Sequence, residues 1–163
     1  MLFCFLITVI CIVLDQLTKY LAVRFLSGIP TYPLIENVIH FTYVENRGAA
    51  FGMLSEHRWV FMILSVVGIS AICVWLAIEK PKSMWIKCAA SLIIGGGIGN
   101  MIDRVRLEYV IDFIDCRFID FYVFNAADSF VCIGCAMFIV YVIVSEVKDH
   151  KAKKESRQRK TNE

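Results

Sequence analysis

Four long apolar segments constrain this chain more than any other feature of its sequence. They cover about residues 2–23, 59–78, 84–102 and 126–146. Each approaches the roughly 20 residues that an α-helix needs to cross the hydrocarbon core of a bilayer. Hydrophobic residues make up 58% of the chain, which is more apolar surface than a soluble domain of 163 residues can bury. We therefore expect an all-α membrane protein with four transmembrane helices in one domain, residues 1–147.

The distribution of basic residues predicts which ends of these helices face the cytoplasm. The short connection 80–87 contains three lysines, and residues 148–163 contain seven further lysines and arginines. Because cytoplasmic loops of membrane proteins are enriched in lysine and arginine, we expect both regions inside. Four spans then place both termini in the cytoplasm and the two longer connections, 24–58 and 103–125, outside.

The basic tail, residues 148–163, carries enough charge to bind nucleic acid or anionic lipid. Beside a membrane helix, such a run is more typical of a solvated anchor that fixes the topology. We therefore expect membrane lipids but no nucleic acid among the partners, and a disordered cytoplasmic tail.

The first outer connection has the composition of β-structure. Val38-Ile-His-Phe-Thr-Tyr-Val44 is rich in β-branched and aromatic residues, and Asn46-Arg-Gly48 contains turn residues. We expect a small β-structure within residues 24–58, between the first and second helices, lying on the outer surface of the membrane.

The predicted topology brings polar residues from several parts of the chain to one face. They are Asp15 and Lys19 in the first span, Asn46 and Gly48 in the first outer connection, Asn100, Asp103 and Arg104 at the end of the third span, Asp112 in the next connection, and Asn125 and Asp128 at the start of the fourth span. Ionisable groups near hydrocarbon are costly, and they suggest a functional site.

Most of these residues also have a structural explanation. Asp15 and Lys19 are four residues apart and can neutralise each other while Lys19 snorkels outward. Asn125 and Asp128 have the spacing of a helix start, with Asn125 as the N-cap. The Asn100–Arg104 segment can be a helix end with an ion pair. The sequence leaves the structural and the functional interpretation open in each case.

Glycines are concentrated in the third span, at Gly95-Gly-Gly-Ile-Gly99. Small residues allow membrane helices to approach closely, so this segment indicates a helix-packing face. Backbone that is exposed for a ligand is the alternative interpretation.

Asp112 has no comparable structural explanation. It lies in the apolar sequence Val110-Ile-Asp-Phe-Ile114, whereas Asp115 and Asp120 have more polar surroundings and are expected to be solvated. The predicted topology then brings two carboxylates, Asp112 and Asp128, to the same partly apolar region. Like charges held close together cannot both ionise, so one carboxyl keeps its proton and the pair can act as acid and base. Such a pair can activate water against an amide.

Other hydrolytic chemistries lack their residue patterns in this sequence. There is no HExxH zinc motif and no GxSxG nucleophile motif, and the histidines are scattered. The seven cysteines are odd in number, and the Cys132–Cys135 pair has no further metal-ligating residue nearby in its apolar segment. We expect no disulfide, no metal and no cofactor.

Five motifs in this chain resemble, in the same order, those of the lipoprotein signal peptidases, also called signal peptidase II. They are Asp15-Gln-Leu-Thr-Lys19, Asn46-Arg-Gly-Ala-Ala-Phe-Gly52, Gly96-Gly-Ile-Gly-Asn-Met-Ile-Asp-Arg104, Val110-Ile-Asp-Phe113 and Phe124-Asn-Ala-Ala-Asp-Ser129. Each motif alone is weak, but five in order on four spans are highly specific. The resemblance covers nearly the whole chain up to the basic tail.

This resemblance implies an intramembrane aspartic endopeptidase of the bacterial cytoplasmic membrane, with an extracytoplasmic β-cradle and an active site near that face. Its substrate would be a diacylglyceryl-modified prolipoprotein, cut just before the lipidated cysteine. The motif positions imply that Asp112 and Asp128 are catalytic. Substrate-binding or dyad-supporting roles fall to Asp15, Lys19, Asn46, Gly48, Asn100, Asp103, Arg104 and Asn125. We expect a monomer.

The chain departs from the family pattern just before the last motif. The family often has a proline before Phe124, where this chain has Tyr122-Val123, and the extra acids Asp115 and Asp120 lie between the two aspartates. The sequence therefore does not predict the path of the connection 113–123.

Two other functions are compatible with parts of the pattern. A proton- or ion-coupled transporter would use the ionisable residues of the first and third spans as a relay. The inner halves of the spans carry almost no charge, however, and a relay needs groups on both sides. An assembly factor that presents residues 24–58 to partners would leave the paired aspartates unexplained.

Overall fold

The computed structural model describes residues 2–48, 58–119 and 121–161, which form four long helices and a three-stranded sheet. The helices are α1 (Leu2–Leu26), α2 (Arg58–Glu79), α3 (Met84–Arg106) and α4 (Ala126–Thr161). The strands are β1 (Tyr32–Ile35), β2 (Ile39–Asn46) and β3 (Val110–Cys116), and a 3₁₀ turn, Arg117–Ile119, follows β3.

The four predicted spans are confirmed. Each helix contains a segment long and apolar enough to cross a membrane: Leu2–Leu26, Trp59–Glu79, Met84–Arg106 and Ala126–Lys148. Large hydrophobic side chains such as Phe5, Val67 and Ile143 are exposed on the outside of the bundle, as a surface in contact with lipid requires. Helices α1 and α3 extend three and four residues beyond the predicted spans, so Asp103 and Arg104 lie within α3.

Helix α3 lies at the centre of the bundle and packs against the other three helices. A Cβ atom on Gly95 would lie 2.6 Å from Cys11 Cβ of α1, and one on Gly96 would collide with the carbonyl of Ala127 in α4. The helix-packing interpretation of the glycine segment is therefore confirmed.

The sheet has the order β1-β2-β3, with both pairs antiparallel. Strand β2 confirms the strand predicted at 38–44. The sheet is not confined to residues 24–58 as expected, because β3 comes from the connection between α3 and α4. The apolar side chains Ile111 and Phe113 of β3 pack with Ala22 and Leu26 of α1 in a small core, which holds the sheet against the end of the bundle.

The tail differs from its expected disorder, because α4 continues as one helix through Thr161. Residues 148–161 are rich in lysine, arginine, glutamate, glutamine and alanine, which are good helix formers. A helix that is already formed in the membrane also removes the cost of nucleating a new one.

Candidate active site

The two catalytic candidates come from neighbouring elements, Asp112 from β3 and Asp128 from the first turn of α4. After β3 the chain turns back, and Phe124 pairs with the strand. The amides of Phe113 and Ile114 donate to the Phe124 carbonyl oxygen at 3.0 and 2.8 Å, and the Phe124 amide donates to the Ile114 oxygen at 3.0 Å. This pairing starts α4 beside β3 and brings the two aspartates together.

Asn125 caps α4 and joins the two carboxylates. Its Oδ1 accepts from the Asp128 amide at 3.0 Å, and its own amide donates to Asp128 Oδ2 at 3.1 Å, which is a reciprocal N-terminal cap. Its Nδ2 also donates to Asp112 Oδ1 at 2.7 Å. The structural interpretation of Asn125 and Asp128 is confirmed, and it is compatible with a functional one because the same side chain does both.

Two further asparagines orient the aspartates. Asn46 Nδ2 donates to Asp112 Oδ2 at 2.9 Å, and Asn100 Nδ2 donates to Asp128 Oδ1 at 2.7 Å. The Gly48 amide donates to Asn46 Oδ1 at 3.0 Å and fixes the orientation of that side chain. The rest of the motif that begins at Asn46, residues 49–52, lies outside the described residues.

Lys19 is the centre of a buried polar network next to Asp112 and Asp128, the pair that we call the dyad. Its Nζ donates to Asp15 Oδ2 and Asp103 Oδ2, both at 2.9 Å, and to Asn100 Oδ1 at 2.8 Å. The interpretation in which Lys19 and Asp15 neutralise each other is confirmed, but the side chain is 2% exposed and does not snorkel outward. Two carboxylates and an amide oxygen satisfy its three hydrogens inside the bundle, which removes the need to reach water.

This network also fixes the backbone beside each catalytic candidate. Asp15 Oδ1 accepts from the amide of Ala127 at 3.0 Å, and Asp103 Oδ2 accepts from the amide of Ile111 at 3.2 Å. These amides belong to the residues that precede Asp128 and Asp112. Gln16, which sequence analysis did not single out, donates to both Asp15 and Asp103.

Electrostatics distinguish the two aspartates. Burial raises the pKa of the Asp112 carboxyl to about 6, and the negative charge of Asp128 adds to this effect. Hydrogen bonds from Asn46 and Asn125 and the charge of Lys19 oppose the rise. The Asp128 carboxylate instead accepts a hydrogen bond from the Asn125 amide at the start of α4, where the helix dipole favours a negative charge. The arrangement suits a pair that shares one proton.

Asp128 faces a groove of about 460 Å³ between α2, α3 and α4. Apolar residues of α2 form one wall, and Asn100, Arg104 and Tyr122 lie with Asp128 at the polar end. The Arg104 guanidinium carbon lies 5.4 Å from the centre of the Phe61 ring, and Nη1 donates to the Asn100 carbonyl oxygen at 3.5 Å. The groove therefore offers apolar contact along its length and a cation beside the aspartate.

Tyr122 is a groove residue that sequence analysis noted as a departure from the family pattern, without assigning it a role. Burial raises the pKa of its hydroxyl, and the charge of Asp128 adds to the rise. The hydroxyl therefore stays protonated and can serve as a hydrogen-bond donor in the groove.

Asp115 does not join the dyad. Its Oδ2 accepts from Thr42 Oγ1 at 2.9 Å and from Arg117 Nε at 3.1 Å, and the side chain is 13% exposed. The expectation of a solvated Asp115 is therefore wrong, because β2 and the 3₁₀ turn supply polar partners. Asp120 lies outside the described residues.

Within residues 2–48, 58–119 and 121–161, no group of three or more histidine, cysteine or acidic residues is arranged to hold a metal ion. Ser129 is hydrogen-bonded to the Asn125 carbonyl oxygen at 3.1 Å, as part of the first turn of α4. Two carboxyl groups joined through one asparagine are chemically able to act as an acid and a base toward water.

Comparison with known proteins identifies the family. The family model described as Signal peptidase (SPase) II matches residues 7–144. The lipoprotein signal peptidase of Caldanaerobacter subterraneus subsp. tengcongensis is 47% identical over 131 residues, which cover 80% of this chain and 88% of the relative. The lipoprotein signal peptidase of Clostridioides difficile is 43% identical over 143 residues, which cover 88% of this chain and 96% of the relative.

Two solved structures have the same fold. Both are described as bacterial membrane enzymes determined by the in meso method, at 2.3 and 1.9 Å resolution. The first has a TM-score of 0.80 at 30% identity, and the match covers 88% of this chain and 88% of that structure's chain. The second has a TM-score of 0.77 at 32% identity, and the match covers 85% of this chain and 91% of that structure's chain. The resemblance carried by the five motifs is thus confirmed, and the chain belongs to the signal peptidase II family of bacterial multi-pass membrane peptidases.

Proposed function

We propose that this peptidase is an aspartic intramembrane endopeptidase that removes signal peptides from diacylglyceryl-modified prolipoproteins, cutting just before the lipidated cysteine. The observation that carries the proposal is the pair Asp112 and Asp128, joined through Asn125, with Asp128 at the polar end of a largely apolar groove. The relatives named lipoprotein signal peptidase support the substrate class.

In the proposed reaction, Asp128 is the base and Asp112 is the acid. Asp128 takes a proton from water as the water oxygen bonds to the scissile carbonyl carbon, and Asp112 gives its proton to the carbonyl oxygen. Asp128 then protonates the leaving nitrogen, Asp112 recovers a proton from one hydroxyl, and the C–N bond breaks. A carboxylic acid and an amine leave, and both aspartates return to their starting states.

The polar network supports this division of roles. Asn100 and the helix start stabilise the charge on Asp128, while burial favours the neutral form of Asp112. The contacts from Lys19 through Asp15 and Asp103 hold both backbones in place before substrate arrives. Such preorganisation lowers the barrier because little rearrangement is needed during the reaction.

The membrane supplies the binding energy in this proposal. The acyl chains of the substrate stay in the lipid, where each buried CH₂ contributes roughly 0.8 kcal/mol. The groove between α2, α3 and α4 then positions the peptide bond beside Asp128. Because both aspartates and their partners come from one chain, we propose that the monomer is sufficient for activity.

A cleavage assay tests the proposed substrate. Purified protein in detergent is mixed with a prolipoprotein that carries diacylglycerol, or with the same protein unmodified, and the products are sized by mass spectrometry. We expect a cut just before the lipidated cysteine in the modified protein alone. Equal cleavage of the unmodified protein would contradict the lipid requirement. Folded protein that leaves intact a substrate cleaved by another preparation would contradict the activity itself.

A further inference from the structure

A second cavity lies at the end of the bundle opposite the dyad. It has a volume of about 330 Å³ and is lined by Cys4, Leu76, Ala77, Lys80, Pro81 and Lys87. Helices α1 and α3 run side by side in the same direction, since Thr8 Oγ1 donates to the Ser91 carbonyl oxygen at 3.4 Å and Lys19 pairs with Asp103. At about 1.5 Å per residue, the 15 residues from Cys4 to Lys19 separate the cavity from the polar network by roughly 22 Å.

The end of α2 shapes this cavity. The Lys80 amide donates to the Leu76 carbonyl oxygen at 3.2 Å, and Lys80 adopts the left-handed conformation with φ 43°. Such a residue is a common helix terminator, and Pro81 prevents the helix from continuing. The backbone of Lys80 is therefore set by the helix end, next to the apolar side chain of Leu76.

The surface of the cavity is almost entirely apolar, and two lysines, the exposed Lys80 and the half-buried Lys87, border it. Across the described ranges, the structure records no ion pair for Lys80 or Lys87, whereas the buried Lys19 contacts two carboxylates. The other lining side chains are apolar or a cysteine. A pair of cations beside apolar walls at a membrane surface complements a phosphate group that is attached to acyl chains.

We propose that this cavity binds one anionic phospholipid from the leaflet that faces away from the dyad. The first part of an acyl chain packs against Leu76, Ala77 and Pro81 in the apolar cavity, and the phosphate pairs with the positive charges of Lys80 and Lys87 that border it. With the orientation predicted from the basic residues, this is the inner leaflet. The site goes beyond the proposed peptidase activity, and its test does not depend on that activity.

Thermal unfolding in a neutral detergent tests the site, because a ligand that binds the folded state raises the unfolding midpoint. The probes are dioctanoyl phosphatidylglycerol and dioctanoyl phosphatidylcholine at equal concentrations. We expect the anionic lipid to raise the midpoint of the unchanged protein and the zwitterionic lipid to have no effect. Lys80→Gln and Lys87→Gln should each need about fivefold more anionic lipid for the same shift.

Lys82→Gln is the matched control. Lys82 lies in the same connection and is exposed, but it does not line the cavity. This variant should respond to the anionic lipid like the unchanged protein, and the charge-preserving Lys80→Arg/Lys87→Arg variant should retain the shift. Equal shifts with both lipids, or an equal loss in Lys82→Gln, would overturn the proposal.

A third probe separates a lipid from a free phosphate. Glycerol 1-phosphate carries the phosphate without acyl chains, and we expect it to leave the midpoint unchanged at the concentration where the anionic lipid acts. A shift of the same size with glycerol 1-phosphate would show that the acyl chains contribute nothing, and would overturn the lipid assignment.

Discussion

At the scale of single residues, Lys19 compensates the buried charge beneath the dyad. Its ammonium group contacts Asp15 and Asp103, and all three side chains are at most 3% exposed. Lys19→Met would leave two buried carboxylates without a counter-charge, so we expect it to lower the free energy of unfolding by about 3–5 kcal/mol. The measurement is thermal unfolding in detergent. Lys154→Met, in the exposed tail, is the control, and equal midpoints for the two variants would contradict the assigned role of Lys19.

The protonation of Asp112 predicts the pH dependence of cleavage. Its carboxyl has a pKa of about 6, above its ordinary value, because it is buried. As the acid of the proposed pair, it is active when protonated, so the active form is lost as the pH rises through that value. We expect kcat/KM to fall on the alkaline side with a midpoint near pH 6, measured with the lipidated substrate. A value of kcat/KM that stays constant from pH 5 to 8 would contradict the assignment.

Replacing Asn46 tests the role of Asp112 by the direction in which the pH dependence of cleavage shifts. Its side-chain amide donates to Asp112 and lowers the pKa of that group. Asn46→Leu removes this stabilisation of the ionised form, so the alkaline midpoint of kcat/KM should move to higher pH. Thr42→Val, which removes a hydrogen bond to Asp115 on the same two strands, should leave the midpoint unchanged. A shift to lower pH in Asn46→Leu would contradict the proposed role of Asp112 as the acid.

At the scale of elements, the approach of α1 to α3 depends on glycine. A Cβ atom on Gly99 would lie 2.5 Å from Asp15 Oδ2, which also accepts hydrogen bonds from Lys19 and Gln16 and has little room to move. We expect Gly99→Ala to destabilise the protein by about 1–3 kcal/mol in thermal unfolding. Gly68→Ala is the control, because a Cβ atom there meets nothing within 4 Å and alanine favours a helix. Similar stability of the two variants would contradict this packing.

Whether the sequence predicted an element depended on how local its pattern is. The spans were predicted because each is a continuous apolar run, and β2 because its β-branched and aromatic residues are adjacent. Strand β3 was missed because Val110–Ile114 is a short apolar run, and its pairing with β2 joins residues as far apart in the chain as Ile39 and Cys116. The helical tail was missed because high charge indicated disorder, although the same residues favour a helix.

The residues of the candidate site were predicted more completely than the strands and helices that carry them. The apolar surroundings of Asp112, the predicted topology and the family resemblance pointed to Asp112 and Asp128, and in the structure both contact Asn125. The buried position of Lys19 did not follow from the sequence, since it depends on Asn100 and Asp103 arriving from another helix. Gln16 lies between Asp15 and Lys19 in the first motif, so that motif was the signal that could have identified it.

At the scale of the whole molecule, the four spans place the start of α1 and the end of α4 on the side opposite the dyad. The basic connection near Lys82 and the basic tail predict that this side is cytoplasmic. A fluorescent protein fused after Glu163 should therefore fluoresce, and an alkaline phosphatase fused there should be inactive. A protease site inserted between Glu36 and Asn37, at the turn between β1 and β2, should be cut from outside. An active phosphatase after Glu163 would contradict the orientation.

In the proposed mechanism, two aspartates of one chain carry the chemistry. The most direct measurement compares the cleavage rate of the lipidated prolipoprotein for Asp112→Asn, Asp128→Asn and the control Asp115→Asn, each shown to be folded by thermal unfolding. We expect the first two variants to lose activity by about a thousandfold or more, because each removes a proton-transfer group. Asp115→Asn should remain within a few-fold of the unchanged protein, since Asp115 contacts Thr42 and Arg117 instead of the dyad. A folded Asp112→Asn or Asp128→Asn variant that cleaves at the unchanged rate would contradict catalysis by this pair.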